Sequence, residues 1–427
     1  MSTSAVIGTG VHVVLLVAAI LLLARLAHAL ARRAGQPTVI AEIAFGLIAG
    51  PLLLRLGGEG TLHAVVPPDV TDWMGKLARA GLACFLVGVG HEMRRSAISV
   101  RGRSVVWTTI GAMAVPLLCG GLLALWVLHG DVPGLRGHAP TPALVLLLAV
   151  SLTVTAVPVL ARILSDSGLV RTRIGRTALT AAVVIDGPAW ILLAVAVGLS
   201  DGAQDLGRPA LVIAVTAVAF VALRAALRRT SRRVGALPRR VPVLVLVAGT
   251  VAATNALRTW GLPDTDILGA LLIGLALPAD GPDGAWTRTV NTASSAGLRL
   301  VPVFFVSTGL LVFTRDFHGP AWSAVALSLL LAVLGKVGGG YAGARLGGES
   351  HWDGLRLGVL LNTRGLTELV ILQAGFSAGI LTADLFLALV LMTLVTTAMT
   401  GPVYALVEAR AARRPQPAAP RKELARP

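Results

Sequence analysis

Apolar runs long enough to cross a lipid bilayer recur along the whole chain, a pattern that fits only a fold whose outer face meets hydrocarbon. They fall near 8–31, 38–54, 74–91, 104–128, 142–164, 173–199, 209–228, 241–257, 265–279, 289–313, 321–346, 354–379 and 384–408, with short polar loops between them. At about 20 residues per crossing this gives about thirteen spans. The 427 residues are 55% hydrophobic and 14% charged, with a mean hydropathy of +0.80, too little polar surface for a soluble protein. The expected fold class is therefore an all-α polytopic membrane protein, because helices satisfy their own backbone in lipid. The first stretch, Ala5–Leu30, is long for a signal-peptide core and has no convincing cleavage site, so it is read as a retained helix. Cys84 and Cys119 both lie inside apolar segments, which speaks for packing and against disulfide or redox chemistry.

The formal charge of +16 suggests nucleic acid only until its placement is considered. If odd-numbered spans end in the cytosol, the cytosolic loops receive Arg32 and Arg33, then Arg94, Arg95, Arg101 and Arg103, then Arg162, Arg171, Arg173 and Arg176. The dense run from Arg224 to Arg240 follows, and the tail adds Arg410, Arg413, Arg414, Arg421, Lys422 and Arg426. Opposite loops pair lone arginines with acids, as Asp131 with Arg136, Asp201 and Asp205 with Arg208, and Arg315 with Asp316. The positive-inside rule thus puts the N-terminus outside and the C-terminus in the cytosol. The basic excess is topological, so the expected partners are anionic lipid headgroups of the membrane and not nucleic acid. The high Arg:Lys ratio points to a GC-rich bacterial genome, and so to a bacterial plasma membrane.

An odd count allows two inverted six-helix repeats, 1–200 and 241–409, joined by a linker helix and basic loop, 201–240, with a disordered cytosolic tail at 410–427. The fifth span of each half carries a helix-breaking segment at membrane depth, Ser151–Pro158 (SLTVTAVP) and Asn362–Gly365 (NTRG, with Thr363 and Arg364). Unwound backbone at that depth must line a cavity or be buried in protein. Two crossed broken helices would bring half-helix ends and free carbonyls to one midplane site able to coordinate cations.

Asp186 lies in the middle of the otherwise apolar Thr177–Leu199. A carboxylate at that depth costs about 2.5–3.5 kcal/mol even on lenient insertion scales, which makes its default reading an ion or proton site. Lys336 occupies the middle of the eleventh span (LAVLGKVGGG) in a chain with only two other lysines, Lys76 and Lys422. Lysine, unlike arginine, loses its proton when desolvated, which fits charge compensation. Arg364 and Glu368 stand four apart on one helical face and are read as a structural salt bridge beside the cavity. Glu42, in IAEIAFGLIAG, is read as a helix brace; His91 and Glu92 close the third span, where an interfacial histidine is usually inert.

With those residues in hand a resemblance emerges. Val154–Trp190 (VTAVPVLARILSDSGLVRTRIGRTALTAAVVIDGPAW) resembles the fifth and sixth helices of monovalent cation:proton antiporters of the sodium/hydrogen exchanger superfamily, in the branch of Kef-type and plant cation/proton exchangers. QPTVIAEIAFGLIAGP from Gln36, LACFLVGVGHEM from Leu82, LVPVFFVSTGL from Leu300, LGVLLNTRGLTELVILQAG from Leu357 and LVTTAMTGP from Leu394 follow the same pattern. The resemblance implies a homodimer in which panel helices hold a mobile core with the crossed broken helices, and a transporter with no cofactor, not an enzyme. It also implies that the cation binds Asp186 with help from Thr153 and Thr155, and that Lys336 is the family's basic residue on the eleventh span. Asp186 would then hold a proton or a monovalent cation in turn.

The sequence departs from that family where the charge balance is set. The position before the key aspartate is usually Asp or Asn in the family and is Ile185 here, which favours electroneutral one-for-one exchange; Gly187 after it is also unusual. No nucleotide-binding regulatory domain of the Kef kind is expected after the short Pro/Arg-rich tail. A Kef-type cation channel and a transport-inactive membrane sensor are the alternatives, and sodium is not separable from potassium by sequence.

Overall fold

The computed structural model describes residues 3–33, 41, 44–46, 48–49, 52, 57–58, 60–61, 64–96, 102–130, 132, 134–169, 172–200, 218, 220–227, 231–238, 240–259, 265–313 and 321–413. Within them the chain is helical: α1 (Thr3–Arg33), α2 (Pro68–Ser96), α3 (Arg103–His129), α4 (Thr141–Thr153), α5 (Val157–Asp166), α6 (Arg173–Gly198) and α7 (Ser231–Ala236). There follow α8 (Arg240–Thr259), α9 (Thr265–Ala276), α10 (Ala285–Arg299), α11 (Val301–Phe313) and α12 (Trp322–Val333). A π-helical turn, Leu334–Gly338, leads into α13 (Gly339–Leu346), and α14 (His351–Leu361), α15 (Leu366–Ser377) and α16 (Ala383–Ala412) complete the fold. Five helical stretches are each long and apolar enough to cross a membrane alone: Gly8–Arg33, Arg103–His129, Arg173–Gly198, Trp322–Leu346 and Ala383–Ala412.

The helices sort into two packed groups. In one, α2 is surrounded by α1, α8, α9, α10 and α11; in the other, α3, α6, α12–α13 and α16 pack around the short helix pairs α4–α5 and α14–α15. Lipid gives helices no hydrophobic reason to associate, so close approach must come from small residues. A Cβ on Gly90 of α2 would stand 2.1 Å from the Leu271 carbonyl oxygen of α9, and one on Gly274 of α9 would stand 2.1 Å from that of Val87. In the second group Gly111 of α3 meets Gly339 of α13, where an added Cβ would lie 2.2 Å from the Gly339 carbonyl oxygen. Side chains with short hydroxyls start the helices of this group: Thr172, Ser350 and Thr382 accept from the N–H of Gly175, Asp353 and Leu385.

Two sequence expectations shift. The tenth span is two helices, α10 and α11, meeting at Leu300, whose N–H bonds Gly297 two residues before Pro302. The boundary at 409 falls inside α16, which runs to Ala412. The second and seventh spans and Glu42 lie largely or wholly outside the described residues.

Candidate ion-binding site

Both expected interruptions are present as helix breaks. α4 stops at Thr153 and α5 begins at Val157, and α14 stops at Leu361 with α15 beginning at Leu366. A proline in the first turn of a helix gives up an N–H that has no intrahelical partner, which is why α5 accommodates Pro158, its second residue, without loss. The breaks touch directly. The N–H of Ala156 donates to the Thr363 carbonyl at 3.1 Å, and the Thr155 hydroxyl donates to the Leu361 carbonyl, the last of α14, at 3.1 Å.

The last carbonyls of a helix carry no internal partner and sit at its negative end. Arg364, from the second break, supplies what α4 lacks: Nη1 donates to the Ser151 carbonyl at 2.7 Å and Nη2 to that of Leu152 at 2.8 Å. Nη1 also pairs with Glu368 Oε1 at 2.6 Å, with both side chains fully buried. Thr397 of α16 fixes the Arg364 backbone by donating to its carbonyl at 2.9 Å. The pair is therefore a salt bridge and also the cap that fastens one broken helix to the other.

Asp186 stands on α6 beside this junction with no exposure to solvent, and neither carboxylate oxygen closes a hydrogen bond among the described residues. Its favourable electrostatic neighbours are the Lys336 ammonium and the Thr155 backbone N–H. Lys336, equally buried, projects from the π-turn, a local widening that often marks a working position in a helix. Its Nζ donates to the Thr155 hydroxyl at 2.8 Å and to the Ala112 carbonyl at 3.2 Å. That carbonyl is free because Pro116, four residues on within α3, has no N–H to give it. Pro188 does the same for the Val184 carbonyl within α6, next to Asp186. A buried carboxylate, a hydroxyl and proline-freed carbonyls are hard oxygen donors of the kind that replace the water shell of a monovalent cation.

The remaining candidates take different roles. Thr153 turns its hydroxyl back on the Ala149 carbonyl at 2.8 Å, and Ser151 does so on Leu148 at 3.0 Å, so these two contribute chiefly backbone. The Thr363 hydroxyl bonds Leu360 at 2.7 Å, and Asn362 caps α14 with its Oδ1 buried and unbonded. Ile185 is fully buried in an apolar cluster with Ala156, Leu160, Leu360 and Leu361. His91 is buried in the protein, 1% exposed, and shares a 3.3 Å contact with the Thr287 hydroxyl of α10. Cys84 is buried and Cys119 half-buried, both as free thiols. Ala112, Thr397 and the capping role of Arg364 escaped sequence reading, although the i−4 rule applied to Pro116 points to Ala112.

The chain matches the family model of the transmembrane sodium/hydrogen exchanger over residues 18–407. The Na(+)/H(+) antiporter NhaS4 of Synechocystis is 31% identical over 386 residues, covering 89% of this chain and 93% of that protein. Cation/H(+) antiporter 15 of Arabidopsis thaliana is 31% identical over 387 residues, 87% of this chain and 45% of the plant protein, so the chain spans about half the length of that relative. Among solved structures, the sodium proton antiporter MjNhaP1 of Methanocaldococcus jannaschii superposes with a TM-score of 0.61 at 16% identity, covering 95% of this chain and 97% of that one, a likeness of fold. With the family model spanning nearly the whole chain and a full-length relative above 30% identity, the protein belongs to the sodium/hydrogen exchanger family of multi-pass membrane proteins.

Proposed function

We propose that this protein exchanges a monovalent cation, sodium or potassium, for a proton, with Asp186 holding each in turn. The observation that carries this reading is a fully buried carboxylate with no hydrogen bond among the described residues, set against two joined helix breaks and a buried lysine. Competition at one carboxylate is sufficient for coupling, because a site that must hold either a proton or a cation before it crosses moves one against the other. Thr155 is the best-supported helper: its hydroxyl keeps one lone pair after accepting from Lys336 and donating to Leu361. Thr153 assists through backbone, and Lys336 offsets the Asp186 charge.

Ile185 offers no carboxylate or amide to Lys336, and the Thr155 hydroxyl and Ala112 carbonyl, both uncharged, hold the ammonium instead. That supports one-for-one electroneutral exchange. The wider plan goes with it: about thirteen spans as inverted repeats 1–200 and 241–409 about a linker at 201–240, a homodimer in a bacterial plasma membrane, N-terminus outside and tail in the cytosol. No cofactor is required.

The test is proton flux in proteoliposomes under an imposed pH gradient, on addition of sodium, potassium or lithium, with and without a potassium/valinomycin voltage clamp. Cation-dependent dissipation that ignores the clamp and vanishes in Asp186→Asn, with assembly intact, is the expected result. Coupled flux surviving in Asp186→Asn would overturn the role of that carboxylate. Voltage-driven cation flux with no proton coupling would favour a channel, and no flux from well-folded protein a sensor.

A further inference from the structure

Asp186 and the Leu361 end of α14 stand at the same junction, and the two helices that carry them set out from one polar cluster. α6 begins at Arg173, about 20 Å before Asp186, and α14 begins just after Glu349. Arg173 is an awkward residue for the first turn of α6, because a helix start is its positive end. The acids that answer it come from the turn between α13 and α14 and from α14 itself. Arg173 Nη1 donates to Glu349 Oε1, and its Nη2 donates to Asp353 Oδ2 at 3.4 Å. The Ser104 hydroxyl, at the start of α3, donates to the same Glu349 oxygen at 2.5 Å. Arg356 of α14 then joins Asp353, at 2.9 Å, to Glu408 of α16, also at 2.9 Å.

Glu349 is buried, and its backbone is tied on both sides: its N–H donates to the Ala344 carbonyl at 3.0 Å, and Arg345 Nη1 donates to its carbonyl at 2.6 Å. Gly348, in the left-handed region at φ +92°, makes that turn possible, and a Cβ on Gly347 would stand 2.7 Å from Ser104 Cα. The carboxylate is thus presented to α3 and α6 from a closely packed turn. Between this cluster and the ion site, α6 contributes Ala178, Ala182 and Ile185, and α14 contributes Leu357 and Leu361, to one buried apolar cluster. Alanine offers little relief for a leucine to lock into, and apolar burial is non-directional. Such a surface holds the helices side by side; directional contacts at their ends set the height of one against the other.

We propose that Arg173, Glu349 and Asp353 form a register pin: they fix the height of α6 against α14, and so the depth of Asp186 beside the two helix breaks. Arg173 and Glu349 are positioning residues that act through α6, and the inference rests on the reading that Asp186 binds the cation. The oxygens that replace a cation's water shell must stand at set distances from it, so a small axial shift of the carboxylate weakens binding. The pin stands about 20 Å from that carboxylate, so it offers the same reference whether Asp186 carries a proton or a cation.

The test reads register and affinity separately. In protein with Cys84→Ala and Cys119→Ala, spin labels on Ser200→Cys, just past the end of α6, and His351→Cys, at the start of α14, report the helix heights by pulsed electron paramagnetic resonance. One narrow distance distribution is expected with Arg173 in place and with Arg173→Lys, which keeps a cation opposite Glu349. Arg173→Gln and Glu349→Gln are expected to broaden or displace it; Arg173 is 61% exposed, so its replacement leaves folding intact. The sodium or potassium concentration that gives half-maximal thermal stabilisation is expected to rise about fivefold in the same two variants. Arg356→Gln unties Asp353 from Glu408 but leaves Arg173 in place, and is expected to change neither the distribution nor that concentration. Unchanged distributions in Arg173→Gln and Glu349→Gln would overturn the pin, as would an equal loss of affinity in Arg356→Gln. A displaced distribution with unchanged affinity would overturn its link to Asp186. If the distribution shifts while the unmodified protein shows no cation-dependent stabilisation, the pin stands and the reading of Asp186 as a cation site fails.

Discussion

The backbone N–H of Ala156 donates to the carbonyl of Thr363 at 3.1 Å, so the two helix breaks satisfy one another and not only themselves. Each break exposes donors and acceptors that lipid cannot pair, and each is the other's nearest source of partners. Arg364 and Thr155 extend the join in opposite directions, the first onto the end of α4 and the second onto the end of α14. This exchange of caps ties the two breaks into one unit.

Replacing Thr155 by valine keeps its volume and removes the hydroxyl. Leu361 loses a donor and Lys336 an acceptor, both fully buried, so stability in detergent is expected to fall by about 1–3 kcal/mol. Thermal unfolding followed by size-exclusion fluorescence measures it, and coupled flux is expected to fall with it; unchanged stability and flux would remove Thr155 from the site.

Arg364→Met alone strands the Glu368 carboxylate and the Ser151 and Leu152 carbonyls. Breaking a buried pair by removing one partner costs about 3–5 kcal/mol, whereas Arg364→Met with Glu368→Leu removes the uncompensated charge and is expected to recover a large part of that loss. A double-mutant cycle on unfolding temperature measures the difference.

Lys336→Met leaves the Thr155 hydroxyl and Ala112 carbonyl without their shared donor and removes the ammonium beside Asp186. Exchange is expected to fail while the protein still assembles. Lys336→Arg is expected not to restore it, since a planar guanidinium presents its donors in another geometry and keeps its charge at any working pH. Flux in proteoliposomes, normalised to folded protein, checks both.

Adjacent glycines should behave oppositely. Gly339→Ala brings a Cβ to 2.3 Å from the Gly111 carbonyl oxygen, so α3 must move, while a Cβ on Gly338 meets nothing within 4 Å. Gly338→Ala is expected to be neutral or slightly stabilising by helix propensity, and Gly339→Ala to lower the yield of folded protein. Expression with monodispersity separates them.

The five long apolar helices, the two breaks and the buried charges were legible in the sequence because each leaves a local mark: an apolar run, an NTRG or TAVP interruption, a lone Asp or Lys in an apolar stretch. Arg364 and Glu368 could be paired by their spacing alone. That Arg364 also caps α4 could not, since the carbonyls of Ser151 and Leu152 carry no side-chain signature and come from the other half of the chain. His91 read as interfacial because it ends an apolar run, and is buried because α10 covers it through Thr287. The tenth span read as one because its apolar residues continue past Leu300, where only the backbone turns.

The π-turn at Leu334–Gly338 holds one residue more than a regular α-turn would. Deleting that residue would leave the helix hydrogen-bonded throughout and hardly shorter, yet everything after it would swing by about 100° about the axis. Gly339 and Gly343 would then face away from Gly111 and Trp107, and side chains would meet backbone where glycine now stands. The widened turn beside Lys336 and the glycines that follow are thus one mechanical unit: removing the extra residue without rebuilding the α3 contact would break the packing that the glycines make.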